Sequence, residues 1–412
     1  MIAAYKAAID KASVTLLEQN EKLGKKLFIT GKGRCNLTNA CEPEEFFDSI
    51  VSNPKFMYSS YYGFDSRALM ELIEKAGCPL KIERGNRVFP VSDHSYDILD
   101  ALKRLLKDAG VKVVLNTRAI DVTGESVITD KGKFLFDSLV IATGGKSYPA
   151  TGSTGDGYLF GQKIGHSITE PECALVPFEI EGEECRLMQG LSLKNVSLSL
   201  QIDGKDKYSS FGEMLFTHFG VSGPLVLSAS SYYTKLRRNP KFEDRKFTIS
   251  IDLKPALSKE ELDKRILKDF DEAPNRDFGN SLDRLLPKSM IPVIVKRSGI
   301  DALKKVNLIT KEERAALAQL FKNLEFEIKG TRSFLEAIVT DGGIKVNEIN
   351  PSTMESKIRP GVFWAGEVID VAGLTGGFNL QIAFSTGYLA GESAANYAKS
   401  EEPKEERKWD TI

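Results

Sequence analysis

The stretch Gly366-Glu367-Val368-Ile369-Asp370, continuing through Gly373-Leu374-Thr375-Gly376-Gly377-Phe378-Asn379-Leu380-Gln381, concentrates the residue types best suited to chemistry in this chain. It reads as a strand end, a glycine-rich turn and a helix start, which together offer free backbone N–H groups to an anionic or electron-rich ligand. Glycine is called for because a Cβ would hold a flat ring or a pyrophosphate away from the backbone. A second stretch of this kind, Thr30-Gly31-Lys32-Gly33-Arg34-Cys35-Asn36-Leu37-Thr38-Asn39, lies near the other end. The two ends are therefore expected to close one nucleotide-binding domain.

The elements that must position these loops are those of a dinucleotide-binding unit, which opens with a buried strand and G-x-G-x-x-G before its first helix. This chain starts in helical sequence, Met1 to Ala12, and follows with the strand-like Ser13-Val14-Thr15-Leu16-Leu17 and the acid Glu18. The first strand and its glycine loop, roughly 10 to 20 residues, are expected upstream of the given start. Lys22 to Asn39 reads as a loop, with Lys25 and Lys26 as solvated charges. Pro43 to Tyr62 reads as a helical or irregular excursion, and Ser66 to Ala76 and Ser95 to Ala109 as amphipathic helices. Short β-rich runs follow at Val111 to Leu115 and Ala119 to Thr123, and the strand Ser138 to Thr143 ends in Gly144-Gly145. From about Pro171 the pattern changes to a largely antiparallel β unit, including Val196 to Ile202 and Phe247 to Leu253. Lys259 to Leu324 then reads as helical. The charged tail from Ser400 shows no pattern for burial.

Among the 412 residues, 27% are charged and the formal net charge is -1. No global field favours nucleic acid or an anionic membrane, so neither is expected as a partner. No apolar run approaches bilayer length. The five cysteines, Cys35, Cys41, Cys78, Cys173 and Cys185, are odd in number and lack C-x-x-C spacing, which suits a reducing cytoplasm. Cys35 reads as a packing residue. The three histidines, His94, His166 and His218, have no metal-ligand spacing, and no metal is expected.

Taken together, several motifs resemble the BaiN-like (HI-type) family of bacterial three-domain FAD-dependent oxidoreductases, which takes in bile-acid reductases and aminoacetone-oxidase-like enzymes. They are Glu18 with Asn20 to Lys26, Gly31 to Asn39, Ala142-Thr143-Gly144-Gly145-Lys146-Ser147-Tyr148-Pro149, Thr151 to Gly157, Leu215 to Pro224, and Ala365 to Gln381. The resemblance implies an α/β fold: a discontinuous Rossmann-type FAD-binding domain (1–170 and 350–412) with an inserted β-barrel-like domain (171–257 and 325–349) and a small helical domain (258–324). It implies Glu18 on the adenosine ribose, and Gly33, Arg34 and Asn36 on FAD from their loop. Ala119 meets the adenine edge through its backbone, and Thr143, Gly144 and Gly145 line the nucleotide channel. Glu367 belongs to the ribityl or pyrophosphate region, with Gly376, Gly377, Phe378, Asn379 and Leu380 beside the flavin ring.

A flavin supplies hydride chemistry, leaving the protein to orient a small-molecule substrate and provide a proton donor. Tyr148 and His218 are the candidates, each with a structural reading beside it: Tyr148 as a packing residue, His218 as an interdomain histidine. No second G-x-G-x-x-G marks a nicotinamide domain, and NAD(P)H is expected as a transient donor. By family analogy the reaction is saturation of a C=C bond conjugated to a ketone, on 3-oxo-Δ4/Δ6 bile-acid intermediates. The alternatives are amine oxidation of a small aminoketone and non-catalytic flavin or nucleotide binding.

Overall fold

The computed structural model describes residues 1–400; the charged tail read from the sequence at 401–412 lies outside the described residues. Contacts gather the chain into two compact units, residues 1–173 with the chain from Ala337 onward, and residues 174–336.

In the first unit, the strand Thr15–Leu17 pairs in parallel with Lys112–Val114, and Leu139–Ile141 pairs in parallel with Val362–Trp364. Parallel strands buried on both faces need apolar residues throughout, and Val362, Phe363 and Trp364 are all buried. Burying each such side chain contributes about 1.5–3 kcal/mol. Helix Ile2–Ile9 lies against the closing helix Phe378–Ser400 at small residues of the latter. A Cβ at Gly391 would stand 2.3 Å from the Ala3 carbonyl oxygen, and one at Gly387 2.6 Å from Ile2. The helices Ser66–Lys75 and Ser95–Asp108 form where the apolar spacing indicated, with Leu69, Ile73, Ile98, Leu99 and Leu102 buried.

In the second unit six antiparallel strands close a barrel, in the order Phe178–Ile180, Gly220–Ser222, Lys205–Phe216, Ser192–Ile202, Phe247–Asp252 and Leu324–Thr331. Alternation along Val196, Leu198, Leu200 and Ile202 turns these side chains inward. Three longer helices, Lys259–Asp271, Ile291–Ser298 and Lys311–Lys322, occupy the helical stretch. The first and third start with capping boxes, Ser258 with Glu261 and Thr310 with Glu313, which satisfy end amides. Their apolar faces share one core with the barrel, so the contacts do not separate a helical unit from a barrel unit. Strand Val339–Ile344 falls in the first unit, where it pairs with Ile168–Ala174. Among the described residues no helix is long and apolar enough to cross a membrane.

Candidate active site

Ligands of open parallel sheets sit beyond the carboxyl ends of the strands. Three of the expected groups leave the first unit's strands at those ends: Glu18 after Leu17, Thr143 after Ile141, and Glu367 after Trp364. The loops that carry them are tied together. Asn20 Nδ2 donates to the Thr151 carbonyl at 3.0 Å and Gln19 Nε2 to the Gly152 carbonyl at 2.6 Å. Glu18 Oε1 accepts from the Asn20 backbone and side chain at 2.9 and 2.7 Å, leaving Oε2 without a partner among the described residues.

The turn after Ile141 is shaped by close approach. A Cβ at Gly145 would lie 2.4 Å from Thr340 Oγ1 and 3.2 Å from the Glu367 carboxyl carbon. Thr340 Oγ1 accepts from the Lys146 and Ser147 amides at 2.8 and 3.0 Å. Glu367 in turn accepts from the Thr340 amide at 2.8 Å, the Ser147 hydroxyl at 3.0 Å and Lys26 Nζ at 2.5 Å. Lys26, read from the sequence as a solvated charge, is thus corrected to the cation of this network, which it shares with Ser147 at 2.7 Å. Lys25, half-buried like Lys26, pairs with Glu21 at 2.7 Å.

The glycine turn before Phe378 is locked by its own side chains. Asn379 Oδ1 accepts from the Gly373 amide, and Asn379 Nδ2 donates to the Gly373 and Leu374 carbonyls. Asn39 Nδ2 donates to the Gly376 carbonyl, and buried Thr38 donates to Gln381 at 2.6 Å. Gly377, at φ 103, rests on Thr38 so closely that a Cβ would stand 2.4 Å from that residue's carbonyl group. Gly33, at φ 83, has open space around it, so its glycine answers to backbone conformation alone. The Phe378 ring is buried against Phe46, with centroids 6.2 Å apart, and Leu380 packs in a neighbouring cluster. What this segment offers a ligand is therefore the first-turn amides of a 23-residue helix, which have no acceptor within the helix.

Arg34, expected on the cofactor, lies over the Phe89 ring and places its guanidinium on Glu83 and Asp93, both at 2.5 Å. The pairing raises the arginine's pKa and holds the Glu83 carboxyl below the usual range, while Asp93 is lowered first by Lys81, 2.7 Å away, and then by Arg34. Asn36, two residues on, buries its Oδ1 with no partner among the described residues, as does Thr143 with its Oγ1. Ala119 opens the strand Ala119–Val122, opposite Thr129. Tyr148 holds φ 52 and ψ 60 ahead of Pro149, a left-handed conformation uncommon for a non-glycine residue; its hydroxyl has no partner among the described residues. His218 is exposed in the second unit, its ring edge-on to Phe219 at 5.0 Å. Cys35 is fully buried and burial pushes its thiol up to about 12, which fits packing.

The residues present fit an FAD. Helix-start amides suit its negative charge, Glu18 Oε2 suits a ribose diol, and Asn36 and Thr143 hold buried polar atoms that the protein leaves unmatched. Residues 1–393 match the family described as HI0933-like protein Rossmann domain. The chain belongs to this family. The chain is similar to a 3-dehydro-bile acid delta(4,6)-reductase of Clostridium scindens, 29% identical over 96% of this chain and 95% of its own length. A ribosomal RNA dihydrouridine synthase of Haemophilus influenzae is 30% identical over 94% of this chain and 93% of its own. The protein of the same name from Escherichia coli is 29% identical over 92% and 91%. With its family, the chain is a flavin-dependent oxidoreductase.

Proposed function

We propose that this protein uses FAD to reduce a C=C bond conjugated to a carbonyl, with a 3-oxo-Δ4/Δ6 bile-acid-like steroid as substrate and NAD(P)H as donor. The observation that carries the reading is the gathering of Glu18, Thr143 and Glu367 at parallel strand ends, in a chain that aligns almost end to end with a delta(4,6)-reductase. Glu18, Asn36, the Thr143–Gly145 turn and the amides from Gly377 to Leu380 would hold FAD. When bound, FAD supplies a hydride for the β-carbon of the conjugated bond. The chain's own work is to keep the helix-start dipole aimed at developing negative charge, and to deliver a proton to the α-carbon. Tyr148 is the proposed donor, since its hydroxyl has no partner among the described residues and it follows the Thr143–Gly145 turn. Lys26 and Ser147 hold the Glu367 carboxylate in one orientation.

A second reading has specific support. Dihydrouridine is uridine saturated at a C=C bond conjugated to a carbonyl, the same bond type, and two relatives of equal similarity carry that name. Uridine in ribosomal RNA is therefore the competing substrate. The test incubates purified protein anaerobically with NADH or NADPH and either a 3-oxo-Δ4,6 bile acid or unmodified ribosomal RNA. Loss of dienone absorbance supports the first reading, and dihydrouridine in the RNA digest supports the second. Peroxide release from aminoacetone in air, with neither reduction, overturns both. Turnover with dithionite but not NAD(P)H removes the proposed donor alone.

A further inference from the structure

Within the second unit a cavity of 220 Å³ opens between the start of strand Ser192–Ile202, the segment after Asp252, and the Leu285–Met290 turn. Leu193, Val196, Leu253 and Met290 give it apolar walls, and Lys254 and Lys194 also line it. We propose that this cavity binds a small monocarboxylate with a short apolar chain, its carboxylate on Lys254.

Three observations converge on that chemistry. Lys254 is held on a fixed rim: its amide donates to Asp252 Oδ1 at 2.9 Å, and Lys322 Nζ donates to the Lys254 and Leu257 carbonyls at 3.2 and 2.8 Å while pairing with Asp252 at 2.5 Å. Its ammonium has no hydrogen-bond or ion-pair partner among the described residues. The nearby carboxylate of Asp269 is already engaged by Arg265 at 3.1 and 3.2 Å. Burial, with a smaller contribution from Arg265, pushes the Lys254 pKa down, the sign of a cation short of compensation. An anion would supply it, and Leu193, Val196, Leu253 and Met290 suit an apolar chain behind the charged end. The cleft is open to solvent, and its 220 Å³ takes a short acyl chain.

The probe is octanoate, with octanol as its neutral counterpart, titrated calorimetrically into the full-length protein. Expected are octanoate binding at least tenfold tighter than octanol, and at least tenfold weaker octanoate binding by Lys254→Met, with flavin absorbance unchanged. Equal binding of the two probes by the wild-type protein overturns the proposal without recourse to any variant. So does undiminished octanoate binding by Lys254→Met, or no octanoate binding at all.

Discussion

Tyr148 and Lys26 separate proton delivery from site construction. Removing the Tyr148 hydroxyl takes away a group with no partner among the described residues, so Tyr148→Phe is expected to keep flavin absorbance and thermal stability while turnover falls about 10²-fold or more. Unchanged turnover would return Tyr148 to packing. Lys26→Met strips the cation from a carboxylate that is only 19% exposed, and a lost hydrogen bond to a charged group costs about 2 kcal/mol. A lower urea midpoint is expected, partly restored by Glu367→Gln, which removes the stranded charge. Elsewhere in the first unit, His166 is buried between Ser356, 2.7 Å from Nε2, and Glu348, 3.2 Å from Nδ1, with Trp364 edge-on. Burial lowers its pKa below the ordinary 6.5 despite the opposing pull of Glu348. Below pH 6.5 the unfolded imidazole takes up a proton that the folded one resists, so the unfolded state binds more protons and stability falls as pH drops through that value. The Glu348 carboxyl, also lowered, gives up its share at still lower pH. Urea midpoints at about pH 7.5 and about pH 5.5 should differ, and His166→Gln should flatten the difference; an equal slope in the variant would place the titration elsewhere.

At the scale of elements, the contact of helix Ile2–Ile9 with helix Phe378–Ser400 depends on absent side chains. Gly391→Val is expected to destabilise by about 1–3 kcal/mol through overpacking on the Ala3 carbonyl, read as a lower melting temperature. The same reasoning reshapes the interpretation of the glycine turn: a side chain at Gly377 strikes Thr38 before it meets any ligand, so loss of flavin there reports a collapsed turn as much as a blocked site. Amphipathic helices such as Ser95–Asp108 were legible because apolar residues recur at helical spacing. The helix Lys25–Ile29 was not, since five residues are too few to show a period, and Lys26 therefore passed for a surface charge. Its partner Glu367 is 341 residues away in sequence, a distance no local pattern bridges. The ends of the glycine segments were readable, whereas the protein partners of their side chains were not. Asn379 staples its own loop, Phe378 fills the core, and Arg34 pairs with acids from a different turn.

For the whole molecule, separate cores in the two units predict separate cooperative transitions. Phe278 is fully buried in the second unit's core, and Phe278→Ala should cost about 3–5 kcal/mol. Scanning calorimetry is expected to show one transition moving while the other, and the flavin absorbance, stay in place; joint movement would mean that the units melt as one. The fold class was legible through the family resemblance of motifs spread along the whole chain, and the inserted unit through the shift near Pro171 to antiparallel β sequence followed by helix. The closing of six strands into a barrel was less so, because it depends on pairings such as Phe178 with Thr331. The division of the first unit has a further consequence during synthesis. At about 5–20 residues per second, the ribosome needs roughly 10–40 s to pass from the end of the first segment to the Phe378 helix. The contiguous barrel unit is complete before that helix emerges. The N-terminal segment meanwhile waits without the element that closes its glycine loops, so FAD capture at the finished site must wait until the Phe378 helix has emerged.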